Sequence, residues 1–357
     1  MSAVAAPRAT PAPEATSPAT AAAAAAGPAS ATAGSASASA GSASLTAAPA
    51  SAADPVAPVL LVPAAWQARA AEHAARADDL TAGHRARRAA GGERHAIEDF
   101  LFEYYPAKPA QLRRWHPGAG VALADAAEAP QAGWRWYRTD AEGTVALDAD
   151  AFLADRGDTV RYVRALLSAT AGRPAATGCF GLHEWAMVYR EGDGDHRHPL
   201  PLRLGGAGTD AVVERHRIRC THIDAFRFFT PDAAPRNTLQ PTRETQVAME
   251  QPGCLHANMD LYKWARKLGP AAPGDLLLDG FALAREIRTV DMQASPYDVS
   301  SYGLDPIAIE TTEGKTEYVR RQRGFAAASQ ALRARLVAAC DAVLGTPVRG
   351  RAEPDRV

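Results

Sequence analysis

The chain has 357 residues, 47% of them hydrophobic, four cysteines and a formal net charge of −1. Up to Pro63 the only charged residues are Arg8, Glu14 and Asp54, so the remaining 294 or so residues are neutral and carry no extended basic footprint for nucleic acid, although a local basic patch stays open. No apolar run is long enough to span a bilayer. Cys179, Cys220, Cys254 and Cys340 are too widely spaced for a zinc knuckle and, without a secretory signal, are expected to be reduced.

Residues 1–63 are Ala, Ser, Pro, Thr and Gly almost throughout. Such a segment buries too little apolar surface to offset its ordering entropy, which predicts a disordered tail. With one arginine in sixty residues it is poorer in basic residues than a transit peptide. The expectation is a soluble, cytoplasmic protein, with organelle targeting as the alternative. A globular domain is expected over 64–345 and a flexible end over 346–357, in an α+β, mainly α fold.

Trp66 to Ala90 reads as a helix rich in Ala and Arg, its charges a solvated face. Ile97 to Gly118 is dense in aromatics and broken by Pro106, Pro109 and Pro117; Arg113, Arg114 and His116 are candidates to face an anion there. Gly133 to Leu147 predicts an exposed strand or hairpin. Asp150 to Ala171 is a helix with Phe152, Val160, Val163, Leu166 and Leu167 as its apolar stripe.

The stretch GCFGLHEWAMVYR, from Gly178 to Arg190, sets His183 and Glu184 among large apolar side chains. Read as a helix, it places His183, Met187 and Arg190 on one face and Leu182, Trp185 and Tyr189 on the other. A turn-rich loop follows, with His196 and His198 expected to be exposed. Leu200 to Gly206 is a short strand candidate. From Arg219 to Phe229 an extended run puts His222 and Asp224 on the same face, about 7 Å apart by the strand repeat. After a proline-rich connector, Thr242 is placed to cap a helix. Pro252-Gly253 then launches a helix from Leu255 to Leu268 with His256, Asp260 and Lys263 at helical spacing. Helices over Asp275 to Val290 and Glu317 to Leu344 complete the domain.

Polar groups in apolar surroundings need partners, and three such segments in one chain predict a shared pocket. Imidazoles and carboxylates of His183, Glu184, His222, Asp224, His256 and Asp260 could hold a divalent metal, although no HExxH is present. Without metal, Glu184, Asp224 or Asp260 could act as base while Arg227, Arg236 or Lys263 holds an anion. The same groups could instead form a buried structural network. The motifs of common nucleotide cofactors and of nucleophilic serine hydrolases are absent.

DFLFEYYPAKPAQLRRWHPG, GCFGLHEWAMVYR, RCTHIDAFRFFTP, EQPGCLHANMDLYKWARKL and ASPYD together resemble a family of proteins, frequent in actinobacteria, that carries the label 3-methyladenine DNA glycosylase. The resemblance runs from about Trp66 to Leu344. It implies hydrolysis of an N-glycosidic bond to a modified purine, in nucleic acid or in a nucleoside-like ligand, with Trp185, Tyr189 and Trp264 as stacking candidates. The alternatives are a metal-dependent enzyme on a small anionic molecule, using His183, His222 and His256, and a non-enzymatic protein that only binds a small molecule.

Overall fold

A computed structural model describes residues 58–192 and 196–345. The predicted tails therefore lie outside the described residues, except that order begins before Pro63. Val59–Leu61 forms strand β1, and Pro63 opens helix α1, Pro63–Ala89, at a position where its missing N–H costs nothing. Residues 58–63 thus belong to the domain, because Leu61 packs with Trp66, Trp115, Leu123 and Val145 in a small core of its own.

The prolines confine the next aromatic segment to two short helices, α2 (Phe100–Tyr104) and α3 (Pro109–Leu112). Strands β2 (Val121–Leu123), β3 (Tyr137–Thr139) and β4 (Val145–Leu147) follow. The sheet order is β1-β2-β4-β3; β1 runs parallel to β2 with Val59 opposite Val121, and β4 is antiparallel to both of its neighbours. The predicted hairpin is present, but Val145 and Leu147 are buried rather than exposed. Helix α4, Ala149–Ala171, is capped by Asp148, whose carboxylate accepts the Ala151 N–H at 3.0 Å, and buries its whole predicted stripe.

The middle of the chain departs from prediction. The anchor stretch gives only one helical turn, α5 (Leu182–Ala186). It is entered through Gly181 in the left-handed region at φ 70° and left through Arg190 at φ 59°, so Met187 and Arg190 do not continue the His183 face. The strand candidate at Leu200 is a single bridge from Leu202 to Tyr297, and helix α6 starts at once, Gly205–Arg215. The extended run ends at His222: its carbonyl accepts the Phe226 N–H at 2.9 Å and opens α7, Ile223–Phe226, so the strand alternation of His222 and Asp224 is lost. Thr242 accepts the Thr245 N–H at 3.2 Å, closing the turn before α8 (Gln246–Met249) rather than capping that helix.

The remaining helices are α9 (Leu255–Leu268), α10 (Gly274–Gln293) and α11 (Thr312–Leu344), the last capped by Thr311. Helix α9 packs on α10 and α11, and α11 also packs on α4. Eleven of the fourteen residues of α9 are buried, so its His256, Asn258 and Asp260 must be satisfied inside the protein. Gly280 lets α10 approach: a Cβ there would stand 3.3 Å from the Tyr262 backbone. The result is one mainly helical domain, with the polar ends of α5, α7, α9 and α10 meeting in its interior. Among the described residues no helix is long and apolar enough to cross a membrane.

Candidate metal centre

Two buried polar networks meet at α9. The first joins α5 to α10. Arg288, wholly buried, donates from Nη1 to Glu184 Oε1 at 2.7 Å and to Asp291 Oδ2 at 2.8 Å, and its Nη2 lies 2.9 Å from His198 Nε2. His183 Nε2 lies 2.9 Å from Asp291 Oδ1. Burial by itself would raise the Glu184 carboxyl, but the Arg288 guanidinium outweighs it and brings the group down to about 2. Asp291 is likewise held low against burial, first by His183, whose own imidazole is held upward by Asp291. His198, expected in solvent, is 1% exposed; burial and the adjacent Arg288 push it down to about 3, so it meets the guanidinium as a neutral acceptor.

The second network joins α7, α8 and α9. His222 Nε2 is 3.3 Å from Asp260 Oδ2 and 3.4 Å from Glu250 Oε1. Asp260 also accepts from the Tyr105 hydroxyl at 2.7 Å and from Lys263 Nζ at 2.6 Å. The same ammonium reaches Asp224 Oδ2 at 2.9 Å, and Arg243 closes on the other side of Asp224. Burial opposes the charge on Asp260, yet Lys263 and His222 hold its carboxyl far below the usual range. Glu250 is raised by burial, and its Oε1 accepts from Gln246 Nε2 at 2.5 Å.

His256 stands between the networks. Its ring centroid is 4.4 Å from that of His183 and 5.4 Å from that of His222. One ligating atom from each of His183, His256 and Asp291 lies within 4.8 Å of the others, and the same holds for His222, Glu250 and Asp260. Burial, then the neighbouring His183, pushes His256 well below the ordinary imidazole range, so it is neutral. At 3% exposure it makes no side-chain hydrogen bond to any described residue. It faces a cavity of about 20 Å³, room for a single atom-sized guest, whose wall includes His183, Cys179, Cys220 and Cys254. Arg219 stands exposed on the same wall.

The three predicted histidines therefore converge, and Glu184, Asp224 and Asp260 lie in the networks around them, each bound to a cation. Lys263 belongs to the second network. Arg227 is exposed and reaches Asp224 only at 3.6 Å, while Arg236 lies over the Tyr189 ring at 5.1 Å. The predicted stacking residues are core: Trp185 is 0% exposed with its indole N–H on the Ala294 carbonyl, and Tyr189 and Trp264 are 1% and 3% exposed. Sequence reasoning missed Asp291, Arg288 and Glu250 as members of the site. The spacing of Arg288 and Asp291, one helical turn apart in an apolar helix, was the signal available for that pair; for Glu250 none stood out from its neighbours.

Comparison of the chain with protein-family models, with curated proteins and with solved structures gave no match in any of the three.

Proposed function

We propose that this protein is a metal-dependent enzyme acting on a small anionic molecule, with a divalent transition-metal ion held by His183, His256 and Asp291. The carrying observation is His256: a neutral, buried imidazole without a hydrogen-bond partner, turned to an atom-sized cavity beside a second imidazole. The ring lines the cavity with no side-chain hydrogen bond among the described residues, and an imidazole is a preferred ligand of zinc and iron. Two imidazoles and one carboxylate do not complete the coordination of such an ion, and a bound metal would act there as Lewis acid. Arg219, with no ion pair or side-chain hydrogen bond among the described residues, is placed to receive an anionic group. A basic side chain already serves one acid in each triad, Arg288 on Asp291 and Lys263 on Asp260; what favours the first triad is that His183 and His256 line the atom-sized cavity, whereas His222, Glu250 and Asp260 do not.

The N-glycosidic reading has less behind it. It needs an aromatic face open to a purine and a carboxylate free to take a proton. Trp185, Tyr189 and Trp264 lie in the core, and Glu184, Asp224 and Asp260 are each occupied by a basic side chain.

The test compares native and denatured mass of the full chain, with elemental analysis, after reconstitution with zinc or iron(II). One equivalent of metal is expected, lost in His256→Ala and Asp291→Asn and kept in Arg219→Ala. A folded wild-type chain that binds neither metal, or a His256→Ala variant that binds it unchanged, overturns the assignment.

A further inference from the structure

The segment between α3 and α4 forms a second site of different chemistry. A cleft of about 330 Å³ lies where the β2–β3 connection meets the C-terminal end of α9 and the start of α10. Its walls include Trp134, Trp136, His116 and the arginines Arg114, Arg135 and Arg266, and no carboxylate lines it. In a neutral domain that is a local concentration of positive charge. Arg135 has a partner in Asp155 and lies over the Trp136 ring, 4.4 Å from its centre. Arg266 spends its donors on the carbonyls of Tyr105 and Pro106, which leave its charge uncompensated. Arg114 makes no ion pair and no side-chain hydrogen bond among the described residues; its guanidinium stands 5.8 Å from the centre of the Trp134 ring.

The aromatic wall is held in place at a cost. Trp136 has φ 65°, the left-handed region, which a bulky side chain rarely adopts. Its carbonyl accepts the Asp148 N–H at 2.8 Å, its indole N–H donates to Asp155 at 2.8 Å, and its ring stands edge-on to Phe152. His116, pushed down to about 4 chiefly by burial, is a neutral neighbour of Trp134 and bonds through Nδ1 to the Tyr137 hydroxyl at 2.9 Å. The fold thus spends backbone strain to present a rigid aromatic surface beside unneutralised guanidinium groups.

We propose that this cleft binds a mononucleotide: the base packs against Trp134 and the phosphate meets Arg114, with the uncompensated charge of Arg266 beside it. Guanidinium groups suit phosphate oxygens, aromatic faces suit any nucleobase, and the volume suits a ligand at the small end of the range. Arg266 lies ten residues beyond His256 on α9, about 15 Å along the helix axis, so this site is separate from the proposed metal centre and stands independently of it.

Isothermal titration of the full chain with AMP, adenosine and inorganic phosphate tests the proposal. AMP should bind saturably with Kd below about 1 mM, and Arg114→Ala and Trp134→Ala should each weaken it roughly tenfold or more, the effect of losing one phosphate contact or one stacked base. Arg320→Ala, at an exposed arginine of α11 outside the cleft, should bind AMP as wild type does. Absence of saturable AMP binding, or wild-type affinity in either cleft variant with unchanged circular dichroism, overturns the proposal. So does phosphate binding as tightly as AMP, which would leave a simple anion site.

Discussion

Replacing Arg288 by methionine tests whether the first network is held by charge. The side chain is wholly buried and serves two buried carboxylates, Glu184 at 2.7 Å and Asp291 at 2.8 Å. Methionine fills much of the volume but leaves both acids without the guanidinium, Asp291 retaining only His183. Breaking a buried ion pair from one side costs about 3–5 kcal/mol, chiefly the penalty of the uncompensated charge. With a urea dependence of about 3 kcal/mol per molar, the unfolding midpoint of the full chain should fall by about 1–1.7 M. Glu184→Gln in the same background should return part of that loss, since it removes one stranded charge, and the coupling between the two changes should exceed about 1 kcal/mol. A midpoint lowered by under about 0.3 M, or additive effects of the two substitutions, would refute the argument that Arg288 is there to neutralise these acids.

Two further outcomes follow from the geometry. Asp99 accepts from Arg87 at 2.6 Å, from the His95 N–H at 2.9 Å and faces His84 at 2.8 Å; burial opposes its ionisation, but Arg87 leads the groups that bring it from 3.8 down to about 2. Because the folded value is the lower one, its contribution, at most about 2 kcal/mol, is complete above pH 4 and is lost as pH falls through about 2. Asp99→Asn should therefore lower stability at pH 7, and the gap to wild type in urea midpoints should narrow between pH 4 and pH 2; a gap that widens on acidification would reverse the sign of the reasoning. Gly253→Ala puts a Cβ 2.4 Å from the Ala176 carbonyl oxygen and 2.9 Å from Gln251 Oε1, at the entry to α9. It should destabilise by about 1–3 kcal/mol in thermal or urea unfolding, and a neutral result would mean that the 176 loop moves freely.

The long helices were legible because their signal is local. The stripe of α4 from Phe152 to Leu167 repeats at helical spacing, and Pro252-Gly253 marks the start of α9. The same periodicity could not reveal that α5 is a single turn, since that depends on backbone reversals at Gly181 and Arg190 imposed by what the chain must pack against. The failure at His222 and Asp224 has the same origin: alternation predicted a shared strand face, whereas a carbonyl at His222 nucleates a helical turn instead.

For the site, the sequence by itself determined that His183, His222 and His256 sit in apolar segments and would need partners inside the protein, because an isolated polar group in such surroundings is too costly to leave unpaired. Which partners they take was decided by the tertiary structure alone. Asp291 reaches His183 across 108 residues, Asp260 reaches His222 across 38, and His198 is drawn from an apparently solvated loop onto Arg288 across 90. Burial and ion pairing are properties of the packed arrangement of α5, α7, α9 and α10; no spacing along the chain encodes them, and they separate His256, which has no side-chain hydrogen bond among the described residues, from His183 and His222, each of which faces a carboxylate.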